Sequence, residues 1–133
     1  VVADDIHADV WYKLWGNMTM NPVSALTGCT MDVILKDDDV RAFMSRAMLE
    51  AGEVASRFGI RLPVTPEERH AVAAQLGAFK TSMLQDVEAA RPIELDALVG
   101  SVVEIADRVG VEVPNIRTLL GLARLRARQL GLY

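Results

Sequence analysis

The chain has 133 residues, of which 51% are hydrophobic and 24% are charged, and its formal net charge is −4 at pH 7. This length predicts one domain with a true hydrophobic core. The acidic balance, without a basic patch interleaved with aromatic side chains, argues against nucleic-acid binding. No apolar run approaches the roughly 18 to 20 residues that a membrane-spanning helix needs, so we expect no membrane segment.

The apolar surplus and the single cysteine bear on partners and compartment. Mean hydropathy is +0.21, so we expect part of the apolar surplus to lie on a face that meets another domain or a second copy of the chain as a homodimer. Cys29 alone cannot form an internal disulfide, and Asp4 and Asp5 interrupt any secretory leader. These features predict a reducing, cytoplasmic location.

The start of the chain predicts a long helix followed by a short one. The first helix should cover residues 6–20, because Pro22 has no amide hydrogen to donate and its ring resists continuation of the preceding turn. Asparagine followed by proline suits an N-cap and a first helical position, so we predict a new helix from Asn21 to Thr27. Gly28 would end that helix.

A ribbon of polar side chains follows one edge of the first predicted helix. Lys13, Asn17 and Asn21 are spaced four residues apart, so successive members lie about 40° apart around the axis. Their neighbours are large and apolar: Trp11, Leu14, Trp15, Met18 and Met20. Spacing alone favours a solvated helix edge over a functional one.

Capping residues mark two further helix starts. Asp37–Asp39 supply an acidic start for a helix that should end at Gly59. Its core stripe would be Val40, Phe43, Met44, Ala47, Ala51, Val54, Ala55 and Phe58. Thr65, Pro66 and Glu68 form a cap, a first-position proline and a capping box for the next helix. That helix would pack through Val72, Ala73, Leu76 and Phe79.

The rest of the chain predicts a loop and two more helices. Residues 82–92 indicate a loop or a frayed helix end. Glu94 opens a helix that ends at Gly110, and Pro114 begins the last helix. Their core stripes would be Leu95, Leu98, Val99, Val102, Ala106 and Val109, then Ile116, Leu119, Leu120, Ala123, Ala127 and Leu130. The sequence therefore predicts an all-α, compact multi-helix bundle.

Residue type and spacing argue against several familiar kinds of site. His7 and His70 are the only histidines, and we predict that both lie on the surface and hold no metal. Cys29 has no nearby histidine to activate it, so we expect a buried or half-buried thiol rather than a nucleophile. Asp37–Asp39 lack calcium-loop spacing, and the six methionines should fill the core. The sequence has no glycine-rich phosphate-binding motif.

A second polar stretch lies far from the ribbon in sequence. The segment "KTSMLQDVEAARPIELD", residues 80–96, places a serine, two aspartates and two glutamates around a proline. Local capping can explain it, with Glu94 beginning one helix and Ser82 ending another. Neither this explanation nor a solvated edge accounts for both polar stretches at once.

Taken together, three blocks of sequence resemble the C-terminal domain of the ketopantoate reductase (2-dehydropantoate 2-reductase) family. They are "WYKLWGNMTMNPVSALTG" at 11–28, "SMLQDVEAARPIELDALVG" at 82–100 and "GVEVPNIRTL" at 110–119. The resemblance implies a helical bundle like the C-terminal domain of 6-phosphogluconate dehydrogenase. It also implies that residues 1–133 are the substrate and catalytic domain of a longer enzyme, whose N-terminal Rossmann domain binds NADPH and is absent from this chain.

The resemblance further implies a reaction and a role for each polar residue. Family enzymes reduce 2-dehydropantoate to pantoate with NADPH, a step in pantothenate and coenzyme A synthesis. Lys13 matches the catalytic lysine that gives a proton to the carbonyl oxygen. Glu94 matches the second catalytic residue, an acidic one that contacts the substrate oxygen and helps set the state of the lysine. Asn17 and Asn21 match amides that position the substrate, and Ser82 matches the serine at its carboxylate end.

Two other functions remain open at this point. Some family members carry an asparagine where this chain has Phe79, so a related reductase acting on another small 2-oxo acid is an alternative. A helical module that only dimerises is the other. That second alternative predicts that Lys13, Asn17, Ser82 and Glu94 scatter over separate surfaces. The reductase interpretation predicts that Lys13 and Glu94 border a common hollow, and that this chain alone is inactive.

Overall fold

A computed structural model describes residues 2–62 and 64–133, with side chains from Asp9 onward. It contains seven α-helices and one π-helical turn that leads directly into the sixth: α1 Val2–Thr27, α2 Met31–Lys36, α3 Asp38–Ser56, α4 Pro66–Ala74, α5 Ser82–Glu88, the π-turn Asp96–Gly100, α6 Ser101–Val109 and α7 Pro114–Leu130. These described residues include no strand, so the all-α prediction is confirmed. Nor does this part of the chain include a helix with the length and apolarity to cross a bilayer.

Helix α1 does not break at Pro22, and the prediction of two helices there is wrong. Pro22 lies inside a continuous helix that ends at Thr27. Its missing amide hydrogen removes one helical hydrogen bond. Pro22, Val23 and Ala25 are all buried, however, and packing of this last stretch of the helix offsets the loss. Gly28 adopts a left-handed φ of 72° and ends the helix as predicted.

Two short helices were not predicted. Helix α2 packs on α3 and α4 through buried Met31, Ile34 and Leu35. Helix α5 occupies the start of the segment 82–92, which was predicted as a loop or a frayed helix end. That prediction is wrong, because Ser82 begins a helix and does not end one. Its N-cap is Thr81, whose hydroxyl oxygen accepts a hydrogen bond from the Leu84 amide at 3.1 Å.

Two predicted helix starts, at Asp37 and at Thr65, are confirmed by their hydrogen bonds. The Asp37 carboxylate accepts from the Val40 amide at 3.0 Å, and Thr65 with Glu68 forms a reciprocal capping box around Pro66. The last helix has an additional cap that comes from α3. There the Glu50 carboxylate accepts from the backbone amides of Asn115 and Ile116 and from the Asn115 side chain.

The core follows the predicted stripes except at helix ends. All six methionines are buried, as predicted: Met18, Met20, Met31, Met44, Met48 and Met83. Four residues assigned to the core are instead exposed: Phe58, Val72, Leu76 and Leu130. Phe58 (54% exposed) and Leu76 (68% exposed) follow the last residues of α3 and α4, beyond the turns that pack. Leu132 is buried in place of Leu130.

The histidine prediction is corrected at His70. Its side chain is only 3% exposed, and its Nε2 lies 2.9 Å from the Ser45 hydroxyl. Burial holds the pKa of His70 below its ordinary value of 6.5, because desolvation disfavours the charged ring. The side chain of His7 lies outside the described side chains. Cys29 is half-buried, which confirms that prediction.

Helices α1 and α4 meet at a glycine. The guanidinium of Arg69 lies over the Tyr12 ring, with its Cζ atom 5.4 Å from the ring centroid. A Cβ atom at Gly16 would lie only 2.6 Å from Nη2 of Arg69. Because Gly16 has no side chain, the guanidinium can pack directly against the backbone of α1.

Candidate functional site

Three of the five predicted site residues line one surface pocket of about 290 Å³. Asn21 comes from α1, Ser82 from the start of α5, and Glu94 from the segment just before the π-turn. The remaining lining residues are Met83, Asp86, Ala97 and Leu98. The pocket thus joins the two polar stretches that are far apart in sequence.

A buried chain of hydrogen bonds fixes α5 against α1 beside this pocket. The Ser24 hydroxyl donates to the Asn21 carbonyl at 2.8 Å, and the Ser24 and Thr81 oxygens are 2.5 Å apart. Thr81 in turn accepts from the Leu84 amide as the cap of α5. Because Ser82 follows Thr81 directly, the same contacts place it close to Asn21.

Helix α5 also contributes a pocket residue that was missed from the sequence. Asp86 lies one turn after Ser82, at the i+4 position that shares a helix face, and it lines the same pocket. Its carboxylate accepts a hydrogen bond from Nε of Arg91 at 3.1 Å. The spacing from Ser82 would have identified Asp86 had residues 82–92 been predicted as a helix.

After the walls from α1 and α5, the pocket has a third wall, formed by the chain that follows α5. This stretch begins with a tight turn and ends in the π-turn. Ala90 has a left-handed φ of 55°, and the Arg91 amide donates to the Asp86 carbonyl at 2.8 Å. The chain then returns to the pocket at Glu94, whose side chain is exposed. Ala97 and Leu98, in the wide turn that follows, supply the apolar part of this wall. Such π-helical turns are frequent at functional sites.

Lys13 and Asn17 lie outside the pocket. Both are exposed, and the pocket lining includes neither. The unbroken α1 keeps them on the same edge as Asn21, with Lys13 about 12 Å from Asn21 along the axis at the usual rise per residue. Among the described side chains, no ion pair involves Lys13. The structure therefore groups Asn21, Ser82 and Glu94, and places the other two on an adjoining open edge.

The pocket combines neutral donors with acceptors. The Asn21 amide and the Ser82 hydroxyl can donate to a carbonyl or carboxylate oxygen, and the Glu94 carboxylate can accept from a hydroxyl. Across the described side chains, no group of three or more His, Cys, Asp or Glu residues is arranged to hold a metal ion. The side chains of Asn21, Ser82 and Glu94 can hydrogen-bond to a small polar ligand.

Phe79, which departs from the family pattern, does not line this pocket. Its side chain is half-buried and packs against a second apolar cluster that includes Met20, Met31 and Leu119. Its carbonyl accepts from the Met31 amide at 3.0 Å. In this domain the aromatic ring therefore stabilises the region around α2 rather than shaping the pocket.

Comparison with known proteins places the whole chain in one family. Residues 5–127 match the family described as ketopantoate reductase PanE/ApbA C terminal. The chain is 44% identical to the 2-dehydropantoate 2-reductase of Mesorhizobium japonicum over 99% of its length and 40% of that protein. The chain thus spans about two fifths of the length of this curated relative.

Solved structures show the same relationship. One is a protein of Ralstonia solanacearum MolK2 that is described as a candidate ketopantoate reductase. It is 56% identical to this chain with a TM-score of 0.91, and the match covers 96% of this chain and 39% of the Ralstonia chain. The 2-dehydropantoate 2-reductase of Methylococcus capsulatus shares 30% identity and a TM-score of 0.86 over 94% and 44%. The chain therefore belongs to the ketopantoate reductase C-terminal domain family.

Proposed function

We propose that this chain is the C-terminal substrate-binding and catalytic domain of an NADPH-dependent 2-dehydropantoate 2-reductase. A nucleotide-binding domain would precede it in the full-length protein. The observation that carries the proposal is the pocket formed by Asn21, Ser82 and Glu94. Family membership and similarity to a curated reductase over 99% of the chain support it.

The proposed substrate position follows from the shape of the site. Asn21 and Ser82 would bind the polar groups of the 2-oxo acid inside the pocket, and Glu94 would accept from its hydroxyl. The carbonyl group, which adjoins the carboxylate in a 2-oxo acid, would face the exposed edge of α1 that carries Asn17 and Lys13. Amides suit this edge because they donate and accept hydrogen bonds without adding a charge that repels a carboxylate.

Lys13 is the proposed proton donor. Reduction of a ketone forms a carbon–hydrogen bond, moves the carbonyl π electrons onto oxygen and leaves negative charge there. An ammonium beside that oxygen stabilises the developing charge and then gives it a proton. The flexible four-carbon stem of lysine allows the amine to reach a substrate that extends from the pocket.

The cofactor would be held outside this chain. Its sequence has no glycine-rich phosphate-binding motif, and we assign no part of a dinucleotide site to its residues. NADPH supplies a hydride when bound to the N-terminal domain. The residues of this chain would bind the keto acid, orient it and transfer a proton to its oxygen.

The pocket also bears on the two alternatives. A module that only dimerises predicts that Lys13, Asn17, Ser82 and Glu94 scatter over separate surfaces. Ser82 and Glu94 line one pocket with Asn21, whereas Lys13 and Asn17 lie outside it on the exposed edge of α1, so a hollow shared by Lys13 and Glu94 stays a prediction. A different 2-oxo acid was kept open by Phe79, but this side chain packs against the second apolar cluster. The pocket favours a reductase over a module that only dimerises, and the packing of Phe79 leaves its ring outside the pocket.

Replacement of Lys13 in the full-length protein tests the proposal. We expect Lys13→Ala to lower kcat for NADPH-dependent reduction of 2-dehydropantoate by about 10²-fold or more, because the proton donor is lost. Lys36→Ala is the matched control, since Lys36 is also exposed but lies on α2. Turnover by Lys13→Ala within about twofold of the control would overturn the proposed role of Lys13. A wild-type protein that does not reduce 2-dehydropantoate would overturn the function itself.

A further inference from the structure

We propose that the segment 131–133 positions Glu94, with Tyr133 as the positioning residue. This inference rests on the proposed function, because it assigns Glu94 a place beside the substrate. It concerns a cluster outside the pocket lining, formed where the chain that follows α7 returns to the start of the π-turn. The cluster contains Tyr133, Asp96, Arg124 and Arg128.

The chain turns back at Gly131 and joins the segment that carries Glu94. Gly131 has a left-handed φ of 73°, which lets the Leu132 amide donate to the Ala127 carbonyl at 2.8 Å. The Leu132 carbonyl then accepts from the Ile93 amide at 3.0 Å. Both Leu132 and Ile93 are buried. The residue immediately before Glu94 is therefore held by its backbone.

A second connection lies two residues after Glu94. The Tyr133 hydroxyl donates to the Asp96 carboxylate, with both carboxylate oxygens 2.8 Å away. Nη2 of Arg124 lies 3.8 Å from the same carboxylate. The segment 131–133 therefore contacts the chain on both sides of Glu94, at Ile93 and at Asp96.

The tyrosine ring is itself held in place. The guanidinium carbons of Arg124 and Arg128 lie 5.8 and 5.2 Å from its centroid, distances at which a cation interacts favourably with an aromatic face. Both arginines belong to α7, which packs on the π-turn. The ring therefore links α7 to Asp96, the first residue of the π-turn. Asp96 is joined to Glu94 by one intervening residue.

The two attachments, at Ile93 and at Asp96, are the contacts by which the fold can position the exposed Glu94. Among the described residues, no side chain donates a hydrogen bond to the Glu94 carboxylate. What the two attachments hold is the backbone of Glu94, from which this side chain extends. A displacement of about 1 Å at an active site can lower the rate by about 10²-fold. Contacts that hold the backbone next to Glu94 therefore affect turnover without touching the substrate.

Tyr133→Phe in the full-length protein is the test, because it removes one hydroxyl and keeps the ring between the arginines. We expect kcat/KM for 2-dehydropantoate to fall about 3- to 10-fold, with KM for NADPH unchanged, because only the position of Glu94 is affected. Glu104→Gln is the control, since it breaks the exposed pair with Arg108 on α6 and should leave kcat/KM unchanged. A drop in kcat/KM below about twofold for Tyr133→Phe would overturn the inference.

A double-mutant cycle separates positioning of Glu94 from a general loss of stability. In the Glu94→Gln background, Tyr133→Phe should lower kcat/KM by less than about twofold further, because the group it positions has already been changed. If the two losses multiply, Tyr133 acts independently of Glu94 and the inference is wrong.

Hydrogen exchange tests the same contact without any turnover. Tyr133→Phe should raise the exchange rate of the Ile93 amide by about threefold or more, whereas Glu104→Gln should not. Unchanged exchange at Ile93 would overturn the positioning inference even if the enzyme reduces 2-dehydropantoate. Increased exchange in a protein without this activity would contradict the proposed function alone.

Discussion

The polar ribbon of α1 has two ends that are built differently. The pocket end, Asn21 with Ser82 and Glu94, is formed by three separate elements and fixed by the buried hydrogen bonds of Ser24 and Thr81. The open end, Lys13 and Asn17, is exposed on one helix and is backed by α4 through Arg69. Under the proposed function, the pocket end would bind the substrate with residues of this domain alone, whereas Lys13, the proposed proton donor, would be covered by the nucleotide-binding domain.

The largest expected effect concerns the nucleotide-binding domain that would cover the open end. The isolated chain should fold but show no NADPH-dependent turnover of 2-dehydropantoate, a loss of more than about 10³-fold relative to the full-length protein, because the hydride donor is not held next to the substrate. The measurement is NADPH oxidation by the purified chain, with circular dichroism to confirm that it is helical. Detectable substrate-dependent oxidation would show that the open end is complete without a second domain.

Two threonine caps test whether the pocket end is the more firmly built. Thr81→Ala should lower the free energy of unfolding by about 2–3 kcal/mol, because it removes the cap of α5 and a partner of buried Ser24. Thr65→Ala should cost only about 1 kcal/mol, since the Thr65 cap of α4 is exposed. Urea denaturation of both variants measures the difference. Equal losses would contradict a special role for the Ser24–Thr81 contact.

The smallest effect concerns the open end and depends on pH. Burial lowers the pKa of His70 below 6.5, opposed by the charge of Glu67 and reinforced by Arg41 and Arg69. Below pH 6.5, His70 is therefore protonated to a greater extent in the unfolded chain than in the folded protein. Stability should thus be retained above pH 6.5 and decline as the pH falls towards the lowered pKa.

The matching measurement compares wild type with His70→Gln between pH 7 and 5.5. The slope of unfolding free energy against pH should be smaller in the variant, because His70 no longer contributes a titration. His7 is present in both proteins and cancels in the comparison. Hydrogen exchange at pH 5.5 should increase in α4, behind the open end, before it increases in α5. Identical slopes would show that His70 is protonated equally in both states.

Much of this architecture was predictable because it depends on local signals. The caps at Asp37 and Thr65 are formed by residues within one turn of the helix that they start. The four-residue spacing from Lys13 to Asn21 also depends only on helix geometry. These features survive in the structure for that reason.

The failures involve contacts between distant parts of the chain. Pro22 was expected to break α1, but tertiary burial of the following turn outweighs its local cost. Helix α5 is short, and its cap depends on Ser24 in α1, so the sequence around Ser82 gives only a weak signal. Asp86 was missed as a consequence. His70 was placed on the surface because its partner, Ser45, lies on another helix.

The close approach of Arg69 to Gly16 has a consequence for engineering this domain. A Gly16→Ala exchange would normally be chosen to strengthen a helix, by about 1 kcal/mol of intrinsic preference. Here the added methyl would displace a cation from Tyr12, so positions 16 and 69 should be redesigned as a pair, with a shorter residue at 69. In natural variants of this domain, a larger residue at 16 should accordingly occur together with a smaller one at 69.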